Sequence, residues 1–314
     1  MGQDRVAGAV VLVDVSGCRE LDAVESLLTG ALGTPSVRIS ADQLFPLQVS
    51  LELETGVLTV GDRRIRPTVA WIRHARAPSL WAYQGKWFET ESWSSFLSQI
   101  AAAAAVSLPG GDPGHVEQLV AARRLGVAVP RTTVTTDVAS SPARGAAATV
   151  VKAVGLHFAG PPDRPEPRLP QVVDRSGEPP PWATSRTPVI VQEYVEHVQE
   201  LRVYYLDGAV CAFDVKKPSP AAIWLLPTQV EIGHTSCPYA VEALVHTLAA
   251  EWGLRYGAFD LLVTATGELV FLEVNADGDW LWFEGRADWR GVTFMAAAMV
   301  RDLHVRALHE AGVA

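Results

Sequence analysis

YGAFDLLVTATGELVFLEVNADGDWLWFE, residues 256–284, holds two apolar runs on either side of a Thr-Gly turn. Asp260 begins the first run, and Glu273 and Asn275 close the second. Residues two apart on a strand face the same side, and a hairpin would bring Asp260 beside that face. Two carboxylates and an amide oxygen suit a hard cation such as Mg²⁺. An ordinary hairpin with polar ends fits the same pattern, so the spacing alone leaves both interpretations open.

The composition is that of a folded protein larger than one typical domain. The length of 314 residues indicates two or three lobes. With 48% hydrophobic and 19% charged residues, the chain can bury a sizeable core. The net charge of −9 argues against a broad nucleic-acid surface. Three widely spaced cysteines form neither a disulfide framework nor a zinc pattern. The longest small apolar run, residues 100–106, is too short to span a bilayer, so we expect a cytoplasmic protein without a membrane partner.

The pattern of strand-like and helix-like segments divides the chain into three predicted domains. Residues 1–128 alternate strands with helices, as α/β domains do. A central lobe is predicted over residues 129–205 and a C-terminal lobe over residues 206–314, which includes the hairpin quoted above. Residues 160–187 are dense in proline, glycine and charge. This segment is predicted to be a mobile loop or an irregular lid, or an insertion without a role, rather than a packed element.

Polar residues that follow the buried runs of the central lobe would suit a nucleotide. Lys152 ends one run, where its cation can neutralise phosphate oxygens. Gln192, Glu193, Tyr194 and Val195 follow or end a second run. The backbone N–H and C=O groups of such a segment can pair with an adenine edge. A lysine at a strand end is usually a solvated terminus, however, and a plain strand end also explains the second feature.

Glu200 and Arg202 are two residues apart and therefore share one face of a strand. A carboxylate can accept hydrogen bonds from ribose hydroxyls, and an arginine can hold a phosphate with two N–H groups. The alternative is a surface ion pair of small energetic value. The sequence contains neither GxxxxGK[ST] nor GxGxxG, so a nucleotide would need another binding architecture.

Read in chain order, these segments resemble the ATP-grasp superfamily over residues 69–305, and within it the graspetide ligases, which modify ribosomal peptides. Trp71-Ile72-Arg73 resembles their Trp-x-Arg strand. Residues 125–137, LGVAVPRTTVTTD, resemble their Gly-Leu-x-Val-Pro-x-Thr-Leu-x-Thr-Asn-Asp segment. Residues 273–284, EVNADGDWLWFE, resemble their Glu-Val-Asn-Pro-x-Gly-Gln-Trp-Leu-Trp-x-Glu ending. The Trp-Leu-Trp after the asparagine is the most specific of these features.

The resemblance implies a three-lobed ATP-grasp fold, mixing α/β and α+β lobes, with an N-terminal pre-ATP-grasp domain. It also implies ATP and Mg²⁺ as cofactors, a peptide or small carboxylate as substrate, and a homodimer. The implied roles are phosphate contact and catalysis for Lys152, nucleotide contact for Gln192, Glu193, Tyr194 and Val195, ribose contact for Glu200, acyl-phosphate contact for Arg202, and Mg²⁺ coordination for Asp260, Glu273 and Asn275.

The implied reaction is phosphorylation of a carboxylate by ATP, followed by attack of an amine or hydroxyl to give an amide or ester. Phosphoryl transfer needs positioning and charge neutralisation rather than a covalent protein nucleophile. We therefore expect no catalytic serine, cysteine or histidine. Residues 160–187 would close over the reactive acyl phosphate and exclude water.

The chain departs from the family pattern at two places. His115 stands where graspetide ligases often have a Lys-Pro that reaches the phosphates. Residues 216–224, KKPSPAAIW, have no arginine where the family commonly has one. Lys216 or Lys217 would supply the missing charge, unless both are solvated. These departures leave open a ligase of amino acids or of a small natural product, and a nucleotide-binding recognition module without catalysis.

Overall fold

The computed structural model describes residues 6–15, 19–40, 44, 46–75, 87–155, 158–159, 166–183 and 186–312. Within these ranges three sheets of four or more strands follow one another along the chain. The strands are β1 Gly8–Asp14, β2 Ser36–Ser40, β3 Val49–Glu52, β4 Val57–Val60, β5 Arg63–Ile72, β6 Val106–Leu108, β7 Thr132–Thr135, β8 Ala148–Ala153, β9 Phe158–Ala159, β10 Glu166–Pro167, β11 Gln171–Asp174, β12 Val189–Glu193, β13 Gln199–Leu206, β14 Ala209–Lys216, β15 Glu231–Thr235, β16 Tyr256–Val263 and β17 Leu269–Asn275. The α-helices are Glu20–Gly30, Trp87–Ala103, His115–Arg124, Ala222–Leu225, Tyr239–Glu251, Leu281–Ala287 and Gly291–Glu310.

The first sheet is mixed and has the order β2-β1-β5-β4-β3, with β6 paired to β5. β1 lies between two parallel neighbours and is apolar at successive positions, so Val10 to Val13 are buried on both faces. The β3–β4 hairpin pairs in antiparallel fashion. The alternation of strands and helices predicted for this part of the chain is therefore confirmed.

The second sheet is antiparallel, with the order β11-β8-β12-β7. The prediction that residues 160–187 contain no packed element was wrong for β11, which pairs with β8 and buries Val173. Proline and glycine on either side of a four-residue strand hid its short apolar pattern. Residues 160–165 and 184–185 of the predicted lid lie outside the described residues.

The third sheet is antiparallel, with the order β15-β14-β13-β16-β17. Its β16–β17 hairpin was predicted, and the tight β13–β14 turn has positive φ at both Asp207 and Gly208, as the favoured type I′ hairpin turn requires. β13 begins at Gln199 and pairs only with strands of this sheet among the described residues. The domain boundaries at 128 and 205 stay predictions, and this pairing favours a second boundary before Gln199.

The first and third sheets share one hydrophobic core. Trp71 from β5 stacks on Trp280 with ring centroids 5.8 Å apart, and Tyr256 from β16 packs against both rings. The helix Gly291–Glu310 packs against this core through residues such as Val292 and Val300. The third sheet is therefore packed beside the end of β5. None of the helices in the described ranges combines the length and apolar character that crossing a bilayer requires.

Candidate nucleotide and metal site

The three predicted metal ligands meet at one end of the β16–β17 pair. Asp260 and Glu273 are directly opposite each other in register, and a bulge follows this pair. Asn275 Nδ2 lies 3.4 Å from Asp260 Oδ2 and 3.5 Å from Glu273 Oε1. In the described part of the chain no three His, Cys, Asp or Glu side chains cluster around a metal-sized space, so the third oxygen would come from the asparagine amide.

Arg202 of β13 lies opposite Asp260 on the adjacent strand, and its Nη1 donates to Asp260 Oδ2 over 2.8 Å. Burial raises the pKa of Asp260, and Arg202 opposes that rise while Glu273 adds to it. The Asp260 charge, together with Tyr204, raises the pKa of Arg202 despite its burial, so the guanidinium stays positive. Its buried Nε has no hydrogen-bond partner among the described residues. The strands thus hold a cation beside the acidic pair, with one donor left for an anion.

Lys152 and His115 approach the acidic pair from two other elements. Lys152 on β8 of the second sheet is buried, and its Nζ lies 3.3 Å from Glu273 Oε2. His115 opens the helix His115–Arg124, and its Nδ1 lies 3.5 Å from the same oxygen. The sequence identified His115 only as a departure from the lysine pattern, yet the structure places it at Glu273. The presence of a histidine where the family has a phosphate-contacting lysine was the sequence signal that could have identified His115 as a site residue.

Glu200 is buried, and Lys217 Nζ contacts its Oε1 at 2.5 Å. Lys216, its neighbour, is 70% exposed and lies 4.0 Å from Asp214. Of the two lysines proposed to replace the missing arginine, Lys217 is therefore the one at the site. Adjacent residues at a strand end point in opposite directions. The sequence alone does not show which of the two directions leads to Glu200.

The segment that would meet adenine runs from the end of β12. Glu193 N–H donates to Arg131 O over 2.8 Å, and Tyr194 N–H donates to Ala148 O over 3.0 Å. An adenine edge would therefore meet the carbonyl of Glu193 rather than its N–H. The Gln192 side chain donates to Thr132 Oγ1 and supports the strand edge instead of pointing to a ligand.

Val195 closes this segment, and its carbonyl oxygen lies 2.9 Å from His197 Nδ1. The Glu193 carboxylate accepts from the Arg131 guanidinium over 3.0 Å. The segment is thus tied to the second sheet on one side and to its own continuation on the other. Gln192 and Glu193 end the inner strand β12, and Tyr194 and Val195 continue beyond it, between Lys152 and Glu200 in chain order.

Arg73 joins the first lobe to the segment that follows Asn275. Its side chain is fully buried, and Nη2 donates to Asp277 O, Gly278 O and Asp279 Oδ1 at 2.9, 3.1 and 2.9 Å. Its guanidinium also lies over the Trp280 ring, 4.7 Å from the centroid. The Trp-x-Arg strand and the Glu-Val-Asn ending, which the sequence presented as separate motifs, are therefore one structural unit.

Solved structures match this chain along almost its whole length. The macrocyclase MdnC of Microcystis aeruginosa MRC, bound with precursor peptide MdnA, is 19% identical and has a TM-score of 0.72, covering 94% of this chain and 99% of MdnC. A RiPP-associated ATP-grasp ligase of Chryseobacterium gregarium, in complex with ADP and a leader and core peptide, is 19% identical with a TM-score of 0.74, covering 94% and 97%.

A third structure, the ATP-grasp ligase PsnB complexed with a phosphomimetic variant of its minimal precursor, Mg and ADP, is 19% identical with a TM-score of 0.74, covering 95% of this chain and 100% of PsnB. No protein-family model and no curated protein sequence matches the chain. At such low identity the likeness concerns the fold. Together with the sheet order and the buried site described above, it shows that this chain has the ATP-grasp fold, in the form found in ligases associated with ribosomal peptides.

Proposed function

We propose that the protein is an ATP-dependent ligase that activates a carboxylate as an acyl phosphate and joins it to an amine or alcohol of a peptide. The observation that carries the proposal is the meeting of Asp260, Glu273 and Asn275 with the cations Lys152 and Arg202. This is a charge arrangement suited to a metal-bound polyphosphate, and it occurs in a fold shared with ATP-grasp ligases.

The donor set fits Mg²⁺. Asp260 and Glu273 would supply carboxylate oxygens and Asn275 its amide oxygen, which are the ligand types that this ion prefers. When bound, the ion would neutralise charge on the phosphate oxygens. In this structure Lys152 balances the charge of Glu273 and Arg202 balances that of Asp260. A bound metal ion would take over this role, and both cations could then contact phosphate oxygens.

The nucleotide would lie between the second and third sheets. Lys152 and Lys217 would contact phosphates, Glu200 would accept from ribose hydroxyls, and the Gln192, Glu193, Tyr194 and Val195 backbone would meet adenine. Lys217 and Glu200 form a close pair in this structure, so binding would exchange this contact for contacts to ribose and phosphate. The charge that the sequence lacks at residues 218–224 would thus come from Lys217.

Arg202 would hold the acyl phosphate, because a buried guanidinium with an unpaired Nε–H can bind an oxyanion that forms beside it. The peptide substrate is inferred from relatives of the same fold whose structures contain precursor peptides. We further propose a cytoplasmic homodimer without a nucleic-acid or membrane partner, in keeping with the acidic composition.

The proposal is tested by incubating the protein with ATP, Mg²⁺ and synthetic peptides that combine Asp or Glu with Thr, Ser or Lys. We expect ADP release that depends on the peptide and a mass loss of one water for each bond formed. ADP release with free amino acids and not with peptides would favour the small-substrate alternative. ATP binding in calorimetry without ADP release on any carboxylate would contradict the ligase and favour a recognition module.

A further inference from the structure

His74 and Asp279 form a hydrogen-bonded pair at the edge of the site. His74 lies two residues after Ile72, the last residue of β5, and its Nε2 lies 3.0 Å from Asp279 Oδ1. The backbone of His74 has φ of 52°, in the left-handed region that few residues other than glycine adopt. Its own N–H points to Asp277 Oδ2 at 3.4 Å. A strained conformation held in place by two carboxylates is typical of residues with a functional role.

The Asp279 carboxylate is anchored independently of the histidine. Arg73 donates to the same Oδ1, and the hydroxyl of Tyr204 donates to the Asp279 carbonyl over 2.5 Å. The hydroxyl of Tyr256 donates to the neighbouring Gly278 carbonyl. Asp279 and its neighbour Gly278 are thus held by fully buried side chains from β13, from β16 and from the residue that follows β5. Asp279 therefore presents a stationary acceptor to the imidazole.

This geometry selects one tautomer of the neutral imidazole. Nε2 must carry the proton to donate to Asp279, so the lone pair lies on Nδ1. Within the described part of the chain, the His74 ring makes one side-chain hydrogen bond, the one from Nε2. The ring is 29% exposed and Asp279 is 58% exposed. The pair therefore opens toward solvent, where a substrate group can reach it.

The pair lies next to the group that would hold the acyl phosphate. Gly278 stands between Asn275 and Asp279 and packs so closely against Arg202 that an added Cβ would lie 2.8 Å from its Nη2. The Arg202 guanidinium also lies over the Tyr204 ring, whose hydroxyl contacts Asp279. The segment that carries Asp279 is therefore in contact with Arg202 on one side and with His74 on the other.

Building on the function proposed above, we propose that His74, oriented by Asp279, is the general base that takes the proton from the acceptor during bond formation. Nδ1 accepts the proton of a hydroxyl group, or one proton of an ammonium group, whose second proton passes to the departing phosphate as the amide forms. The freed lone pair then forms the new C–O or C–N bond at the acyl carbon. The C–O bond to the phosphate breaks, and phosphate leaves with that electron pair. The imidazolium finally returns the proton to water, which completes the balance.

Burial would lower the pKa of His74, as does repulsion from Arg73. The hydrogen bond to Asp279 and the negative charges of Asp279 and Asp277 outweigh both, so the pKa lies above the ordinary value. A raised pKa makes the neutral ring a stronger base near neutral pH. This role departs from our expectation that no histidine takes part in catalysis, which considered only covalent nucleophiles.

The test separates activation of the carboxylate from bond formation, using His74→Asn and His74→Gly because asparagine and glycine accept positive φ. The protein is given ATP, Mg²⁺ and the peptides described above, with hydroxylamine as a substitute acceptor that is neutral and needs no base. We expect hydroxamate and ADP formation to stay within about twofold of wild type, while native bond formation falls about a hundredfold or more. Added imidazole should restore part of the activity of His74→Gly.

The pH dependence distinguishes a base from a merely structural histidine. In wild type, bond formation should rise with pH through a pKa above about 6.5, and this limb should vanish in His74→Asn. In Asp279→Asn the limb should move to lower pH, because the carboxylate raises the pKa of His74. Proton–nitrogen NMR of the unliganded protein should show the same order of pKa values and the Nε2–H tautomer. His309→Gln, an exposed histidine on the last helix, is the matched control.

Parallel losses of hydroxamate and native product, or an unchanged pH limb in the His74 variants, would overturn the base role while leaving the ligase intact. An unshifted His74 pKa in the NMR titration would do the same. If the wild type releases no ADP with any carboxylate, the proposed function itself fails and the base role falls with it. Thermal melts of each variant confirm that losses do not come from unfolding.

Discussion

Arg202 and Asp260 are directly opposite each other on the adjacent antiparallel strands β13 and β16, and their side chains meet at 2.8 Å. Both are largely buried, and the Asp260 side chain is 20% exposed. Cross-strand neighbours of opposite charge stabilise a sheet. A buried pair costs desolvation, however, and is weak evidence of stability for its own sake. The pair is better explained by a site in which both charges serve a ligand.

Removal of the arginine should therefore harm catalysis and stability together. Arg202→Met leaves Asp260 buried without its partner, for which we expect a loss of about 3 kcal/mol in the free energy of unfolding. Arg202→Lys keeps the charge but loses the planar fork, and we expect turnover to fall at least about tenfold. Denaturant melts and ADP-release kinetics measure both effects. Arg301→Met, at an exposed position, is the control, and equal effects in the two positions would refute this role.

Loss of one metal ligand should weaken magnesium binding and lower turnover. Glu273→Gln keeps the shape of the side chain but removes its charge, so we expect peptide-dependent ADP release to fall about a hundredfold and to need more Mg²⁺. Chelation of the metal should stop wild-type turnover completely. Glu268→Gln changes an exposed glutamate in the turn of the same hairpin and should behave as wild type. A Glu273 variant with unaltered magnesium dependence would contradict the proposed site.

Substitution of the two neighbouring lysines, Lys216 and Lys217, should affect the KM for ATP very differently. Lys217→Met removes the partner of buried Glu200, and because Lys217 would also contact phosphate, we expect the KM for ATP to rise about tenfold. Lys216→Met removes an exposed cation and should leave KM within about twofold. Steady-state kinetics over a range of ATP concentrations decide the matter. Similar KM values for the two variants would show that Lys217 does not supply the missing charge.

Gly278 should tolerate no side chain. A Cβ at this position would lie 2.4 Å from Ala258 Cβ and 2.8 Å from Arg202 Nη2, so Gly278→Ala must displace the strand or the arginine. We expect a loss of about 1–3 kcal/mol of stability and reduced turnover. Gly285→Ala is the matched control, since it faces open space within a helix and should be neutral or stabilising. Calorimetric melts of both variants measure the difference.

The sequence was sufficient wherever a local pattern carried the information. The period of two along a strand placed Glu273 and Asn275 on one face, and the Thr-Gly turn between the apolar runs brought Asp260 to them. The Asp-Gly pair at 207–208 is typical of a two-residue hairpin turn, and such a turn joins β13 to β14. The strand Gln171–Asp174 was missed, because four residues between prolines and glycines offer too short a pattern to distinguish from a loop.

Apolar runs and turn residues determined the hairpins, and short motifs such as the Trp-Leu-Trp after Asn275 carried the resemblance to ATP-grasp ligases, since both depend on neighbours along the chain. Only the tertiary structure decided that Lys152 reaches Glu273 across 121 residues, that Lys217 rather than Lys216 meets Glu200, and that Arg73 holds the segment carrying Asp279. Such contacts join separate sheets and lobes. Their distances depend on how the packed core orients whole elements, and no local periodicity records that orientation.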